Sequence, residues 1–232
     1  MGGAIAMEPR GFSTAMLLLF GALAFFFNAS AAPKKPLPKQ LPPLLAEVEA
    51  HYAKSGSLTA EFDQDDVSAA FGEKKSNKGS ISWRAPNLIR WETKTPDQSL
   101  LVSNGKTVWM YTPPFDESEN GQVIIRPASQ VKSRLLDALL AGRFSAALKQ
   151  GLRIESLGAR SFALKPAQGT VGDLKIARVE IAEKEPIIAR VALEYQNGNQ
   201  SGIRLSKIEM GKDLASSLFE FKIPPHTDVV KD

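Results

Sequence analysis

The sequence predicts an α+β fold, mostly β, built on a single antiparallel sheet that is strongly curved or closed. Three observations carry this reading. Ten or eleven short segments alternate apolar and polar side chains, the period of a half-buried strand. Only two main helical stripes are present. Strands follow strands without a helix between them, so the rhythm of a parallel sheet is missing.

The elements follow in order. Residues 15–27 are uncharged and apolar, too short to span a membrane comfortably and of the length of an export leader. Ala29-Ser30-Ala31 reads as a small-residue cleavage site, so residues 1–31 are expected to be a signal peptide and the mature chain to start at Ala32. An uncleaved membrane anchor is the alternative, and Met7 is an alternative start. Residues 32–40, rich in Pro and Lys, form an extended flexible lead-in. The domain itself occupies 41–232. A helix is expected over about 41–53, with Leu41, Leu44, Leu45, Val48 and Tyr52 on one stripe and Gly56 as its stop. Leu58, Ala60 and Phe62 alternate along the first strand. Ile81, Trp83, Ala85, Ile89 and Trp91 share parity and point inward if the pleat is unbroken. Strands at 100–103 and 106–111 meet at Asn104-Gly105, a strong hairpin signal. A strand at 123–126 precedes a helix carrying Leu135, Leu136, Leu139 and Leu140, with Gly142 as its C-cap and another helical turn at 144–149. Strands at 153–156, 161–165, 174–182, 187–195, 203–210 and 218–223 complete the chain. Phe219, Phe221 and Ile223 are expected on one face of the last.

Composition limits the chemistry. The chain has 232 residues, 43% hydrophobic and 23% charged, which suits a globular chain large enough to bury its own core. Cys 0 excludes disulfides, thiolate sites and a cysteine nucleophile, and with only His51 and His226 a common tetrahedral zinc site is not expected. The leader holds one Arg and one Glu, so the net charge of +4 is unchanged by cleavage. No basic cluster interleaves with aromatics, so nucleic acid is not an expected partner. No GxSxG or glycine-rich phosphate loop occurs, and each His reads as a surface residue rather than a triad member. Glu61, Asp63, Asp65 and Asp66 read as a solvated turn rather than a calcium loop. The apolar excess has two readings. One is a plain core, with helices capping an open barrel. The other is a hydrophobic cavity with helices as its lid, holding an apolar ligand.

Three segments in order tip this balance. GSISWRAPNLIRW at 79–91 has a glycine-led strand, a turn at Pro86 and a closing Trp. SNGKTVWMY at 103–111 is the hairpin that follows. LFEFKIPPHTDVV at 218–230 has a Phe-x-Phe, Pro-Pro, Asp-Val ending. Together with the leader and the amphipathic first helix, these resemble the LolA family of periplasmic outer-membrane lipoprotein carriers. The resemblance implies an incomplete β-barrel of about eleven strands, with helices as a lid over a hydrophobic cavity. It implies a periplasmic chaperone with no enzyme chemistry and no cofactor. Its partners would be acylated lipoproteins, an inner-membrane lipoprotein-releasing ABC transporter and an outer-membrane lipoprotein receptor; a monomer is expected. The acyl-chain cavity would be lined by Phe62, Ile81, Trp83, Ile89, Trp91, Phe219 and Phe221. The lid would be Leu44, Leu45 and Val48 with Leu135, Leu136, Leu139 and Leu140. Trp91 matches the family's cavity Trp, and Ile89 stands where an aromatic is usual. The family places a latch Arg directly before the Pro of the turn, and here that residue is Ala85. Arg84 is one residue early and is expected to face solvent, so lid closure is expected to rest mainly on apolar contact rather than on an arginine latch. A periplasmic lipid- or lipoprotein-sensing domain of the same fold is the alternative function, and a periplasmic hydrolase a further one.

Overall fold

The computed structural model describes residues 41–116, 118–129, 141–149, 152–165 and 174–231. The leader, the lead-in and the four leucines Leu135, Leu136, Leu139 and Leu140 lie outside the described residues.

Among the described residues, twelve strands form one open sheet. The first meander is β1 (Ser57–Val67), β2 (Lys74–Arg84), β3 (Leu88–Thr95), β4 (Ser99–Asn104), β5 (Thr107–Thr112) and β6 (Gly121–Pro127). The second is β7 (Arg153–Ser156), β8 (Ser161–Lys165), β9 (Leu174–Ile181), β10 (Ile188–Tyr195) and β11 (Gln200–Met210). The two join where β1 pairs antiparallel with β11, with a register shift between Thr59 and Glu61. A short β12 (Thr227–Lys231) returns to the far side and pairs with β6 in parallel. The spatial order runs β12, β6 back to β1, then β11 back to β7, so the sheet has two free edges and does not close. The sequence-based expectation of about eleven antiparallel strands therefore meets one strand more, and that strand is parallel.

Local signals account for the ends of these elements. Helix α1 (Pro43–Ser55) begins at paired prolines, suited to a first turn that needs no donors, and stops at Gly56 in the left-handed conformation at φ 68°. Asn104 Oδ1 accepts hydrogen bonds from the backbone N–H of Lys106 and Thr107, closing the β4–β5 hairpin around Gly105 at φ 83°. Helix α2 (Phe144–Lys149) is short, and its Ser145 donates from both N–H and Oγ to Glu49 of α1, at 3.1 and 2.6 Å. Leu45, Val48 and Tyr52 of α1 and Phe144 and Ala147 of α2 are buried in one apolar cluster with one face of the sheet.

The end of the chain departs from the expected strand at 218–223. Residues Ser216–Phe219 form a single 3-10 turn, residues 220–226 belong to no strand, and the last strand is β12. Alternation of Phe219, Phe221 and Ile223 is equally satisfied by extended chain lying on a sheet, which is what this segment does.

Candidate functional site

Strand register identifies the inner face. Partners across a ladder share a face, so Ile81, Trp91, Leu101, Met110, Ile124 and Val230 form one row across β2, β3, β4, β5, β6 and β12. At 4.7–4.9 Å per strand the row is about 24 Å long. Its environment is graded. Phe62, Ile81 and Trp83 are buried beneath α1, where Tyr52 stands 6.3 Å from Trp83 between ring centroids. Ile89, Trp91, Leu101, Met110 and Ile124 are only half-buried. The inner face is thus sealed at β1–β2 and presents accessible apolar side chains from β3 to β6.

Gly79 makes this packing possible. A Cβ there would lie 1.9 Å from the Glu92 carbonyl oxygen and 2.7 Å from the Phe62 ring. The missing side chain lets Phe62 lie over β2 and meet Trp91, with centroids 4.8 Å apart.

Beyond Phe62 the same face becomes polar. Gln64, Asp66, Asn77 and Ser201 join through hydrogen bonds, and Gln64 and Asn77 line a groove of about 860 Å³ with Thr93, Ser99 and Thr112. Burial, and then the charge of Asp66, raise the Tyr195 phenol above its ordinary value. The acidic run read as a solvated turn lies instead on strand β1. Glu61, Asp63 and Asp65 face outward to Lys207, Lys78 and Lys74 at 2.9, 3.1 and 3.0 Å, while Asp66 faces inward. Split over two faces, these carboxylates do not converge.

The structure brings Phe62, Ile81, Trp83, Ile89 and Trp91 to one face, with Leu45 and Val48 of α1 buried on it and Leu44 packed against the same cluster. It separates Phe219 and Phe221 from them. Phe219 lies under the Arg84 guanidinium, 5.3 Å from its centroid, and Phe221 meets Tyr111 at 5.3 Å and Trp109 at 6.5 Å. Arg84, Trp109 and Tyr111 alternate with Trp83 and Met110, so both phenylalanines pack on the outer face. They line no inner cavity, because the chain crosses to the outside after β11. Ala85 is exposed in the β2–β3 turn, outside either strand. Arg84 does point away from the inner face, yet it does not face solvent. It is half-buried and donates to the Leu214 carbonyl and to Ser216 Oγ, the latter at 2.9 Å. The turn next to Ala85 also has an arginine tie, from the other side: Arg143, just before α2, donates to the Pro86 carbonyl and to Asn87 Oδ1. This tie adds a polar contact beside the turn; the expectation of mainly apolar lid closure turns on Leu135, Leu136, Leu139 and Leu140, which lie outside the described residues. Leu101, Met110 and Ile124 escaped sequence reading, although the Asn104-Gly105 hairpin fixes the first two opposite each other and in line with Trp91.

The family model for outer membrane lipoprotein carrier protein LolA matches residues 53–222. An outer-membrane lipoprotein carrier protein of Azotobacter vinelandii is 28% identical over 219 residues, covering 93% of this chain and 98% of that protein. The protein of the same name in Vibrio cholerae is 31% identical over 204 residues, covering 88% and 92%. Among solved structures, a LolA superfamily protein of Nitrosomonas europaea aligns with a TM-score of 0.50 at 13% identity, covering 77% of this chain and 96% of that one. This last likeness speaks to the fold, an open mostly-β sheet. With a family match spanning most of the folded region and relatives aligned nearly end to end, the chain belongs to the LolA family of outer-membrane lipoprotein carrier proteins.

Proposed function

We propose that this protein is a periplasmic carrier that holds the acyl chains of lipoproteins against its inner face. It takes them from an inner-membrane ABC transporter and passes them to an outer-membrane receptor, with no covalent step and no cofactor. The observation that carries this reading is the half-buried row Trp91, Leu101, Met110 and Ile124, apolar side chains left accessible side by side on four adjacent strands. Contiguous accessible apolar surface marks a binding site. Each methylene of an acyl chain removed from water there is worth about 0.8 kcal/mol, so such a wall competes with a bilayer. The names of the relatives support the same cargo. The apolar leader and the Ala29-Ser30-Ala31 site support export, with Ala32 as the mature start; N-terminal sequencing that begins at Met1 or Met7 would overturn that part.

The test is binding of a synthetic diacylated lipopeptide to the purified mature protein. Trp91→Glu places a charge in the row and should weaken binding at least tenfold with the far-UV spectrum unchanged. Unchanged affinity in a folded variant would remove the row from the site. Slow loss of the lipopeptide's ester bonds in the presence of the wild type would replace the carrier by a hydrolase.

A further inference from the structure

The polar end of the inner face has a directional chemistry that acyl-chain binding leaves unused. Gln64, Asn77, Thr93 and Ser99 each stand two residues along their strand from a position of the apolar wall: Phe62, Gly79, Trp91 and Leu101. Two residues of strand span about 6.6 Å, so the polar groove begins one pleat beyond the wall.

The Asp66 carboxylate offers acceptors only. Gln64 Nε2 donates to its two oxygens at 2.9 and 3.0 Å and to Ser201 Oγ at 3.2 Å. Asn77 Nδ2 donates to Asp66 Oδ2 at 2.9 Å. Both amides therefore turn their NH₂ groups to Asp66 and their carbonyl oxygens away from it. Neither carbonyl oxygen accepts a hydrogen bond from any described residue, and neither is among the buried atoms without a partner. Ser201, at 6% exposure, anchors the set in the body of the sheet. Lys75, the cation on the groove, is held by Asp97 at 2.7 Å. The groove thus presents two oriented acceptors, which suit a ligand that supplies N–H donors. Thr93, Ser99 and Thr112 add hydroxyls, and Lys75 keeps N–H donors beyond the one shared with Asp97, so a ligand with both N–H donors and carbonyl acceptors fits the lining. A phosphate or an ester, which has acceptors alone, would leave both amide oxygens unpaired.

We propose that Gln64 and Asn77 bind backbone N–H groups of the cargo's own peptide, in the first residues beyond its acylated end. The acyl chains would lie on the wall, and the adjoining peptide would leave through the groove. This rests on the carrier reading and adds a polar recognition element to it: cargo is held by its peptide as well as by its lipid.

Two lipopeptides with identical acyl chains decide the matter, one with ordinary peptide bonds and one N-methylated at the first peptide amides. Wild type is expected to bind the methylated form about tenfold more weakly. The double variant Gln64→Leu, Asn77→Leu should bind both forms equally, at the weaker level, while its affinity for an apolar fluorescent dye stays at the wild-type value. Equal binding of the two forms by wild type would overturn the proposal. So would a folded double variant that still discriminates, since the methyl groups would then be acting by bulk. If the double variant fails to fold, Asp66→Asn serves in its place, because it frees both amides to rotate and should blunt the discrimination. Failure of the carrier reading looks different: neither lipopeptide would bind or displace the dye from wild type.

Discussion

Tyr52 shows how much a single side chain does at the sealed end of the inner face. It is 1% exposed, and its hydroxyl accepts a hydrogen bond from the Ile188 N–H at 3.3 Å. Gly142, at φ 62°, brings its backbone onto the ring, where a Cβ would sit 3.0 Å from Tyr52 Cγ. Burial pushes the phenol from its ordinary 10.0 up to about 12, against a smaller lowering by the Ile188 N–H. A group whose folded pKa is raised keeps its proton longer in the native state. Below pH 10 both states are protonated, the stabilisation is fully present, and stability does not vary with pH through this group. Between about pH 10 and 12 the unfolded chain ionises first, and stability falls by roughly 1.4 kcal/mol per pH unit. Tyr52→Phe removes that fall, but it strands the buried Ile188 N–H at a cost of about 1–3 kcal/mol. The variant should be the less stable protein at pH 7, and the gap should narrow as pH rises to 11. Urea unfolding at the two pH values measures it; a constant gap would show that the phenol does not titrate in this window.

Arg84 and Arg143 belong to the scale of elements, since each fastens one segment to another. Arg84 holds the run after β11 to the outer face through a carbonyl, a serine and the Phe219 ring. A charge-assisted hydrogen bond of this kind is worth about 1.5–3 kcal/mol. Arg84→Ala should therefore lower stability by about 2 kcal/mol and speed amide exchange at 214–219. Dye affinity should not change, because the row proposed to bind acyl chains is on the other face. Arg143 joins the stretch before α2 to the β2–β3 turn through exposed contacts. Its replacement by Ala should cost 1 kcal/mol or so and quicken release of a bound dye a few-fold by stopped flow. These two contacts also mark where sequence reading ended. Parity placed Ile81, Trp83, Ile89 and Trp91 together because a hairpin carries its register in local sequence. Parity likewise turned Arg84 away from them. It could not say that residues from 213 onward would cover the outer face, since that pairing joins positions about 130 apart. For the same reason the pattern of Phe219 and Phe221, identical to that of inner-face residues, does not reveal that they lie on the outer face. The Gln64–Asp66–Asn77 set was illegible for another reason: its meaning lies in which way two amides turn, which only their three-dimensional partners determine.

At the scale of the molecule, an open sheet must keep its two edges from recruiting other strands. β7 is four residues long, with Arg153 and Glu155 exposed. β12 carries Asp228 and Lys231 around Val229 and Val230, which are 44% and 42% exposed. Short, charged edges resist unwanted pairing. The outer face adds ion pairs such as Lys175–Glu194 at 2.6 Å and Lys78–Asp63 at 3.1 Å. Exposed pairs contribute little each, so raising salt to the molar range should move the melting temperature by no more than about 2 °C. The placement of β1 in the middle of the sheet has a further consequence, for the order of events in time. Its hairpin with β2 is local and can form early, but its other neighbour, β11, lies some 150 residues away, as in the Thr59–Glu209 contact. β6 waits across 108 residues for β12, as the Asn120–Asp228 contact shows. Both long-range closures are supplied by β11 and β12, which are synthesised after the other ten strands. High contact order of this kind places folding in the millisecond-to-second range. A chain truncated before residue 200 lacks both closures and should stay open to proteolysis, while the full chain resists. Until β11 and β12 arrive, the newborn protein is a half-built sheet, with one side of β1 and of β6 open to the strand-pairing that the folded sheet avoids.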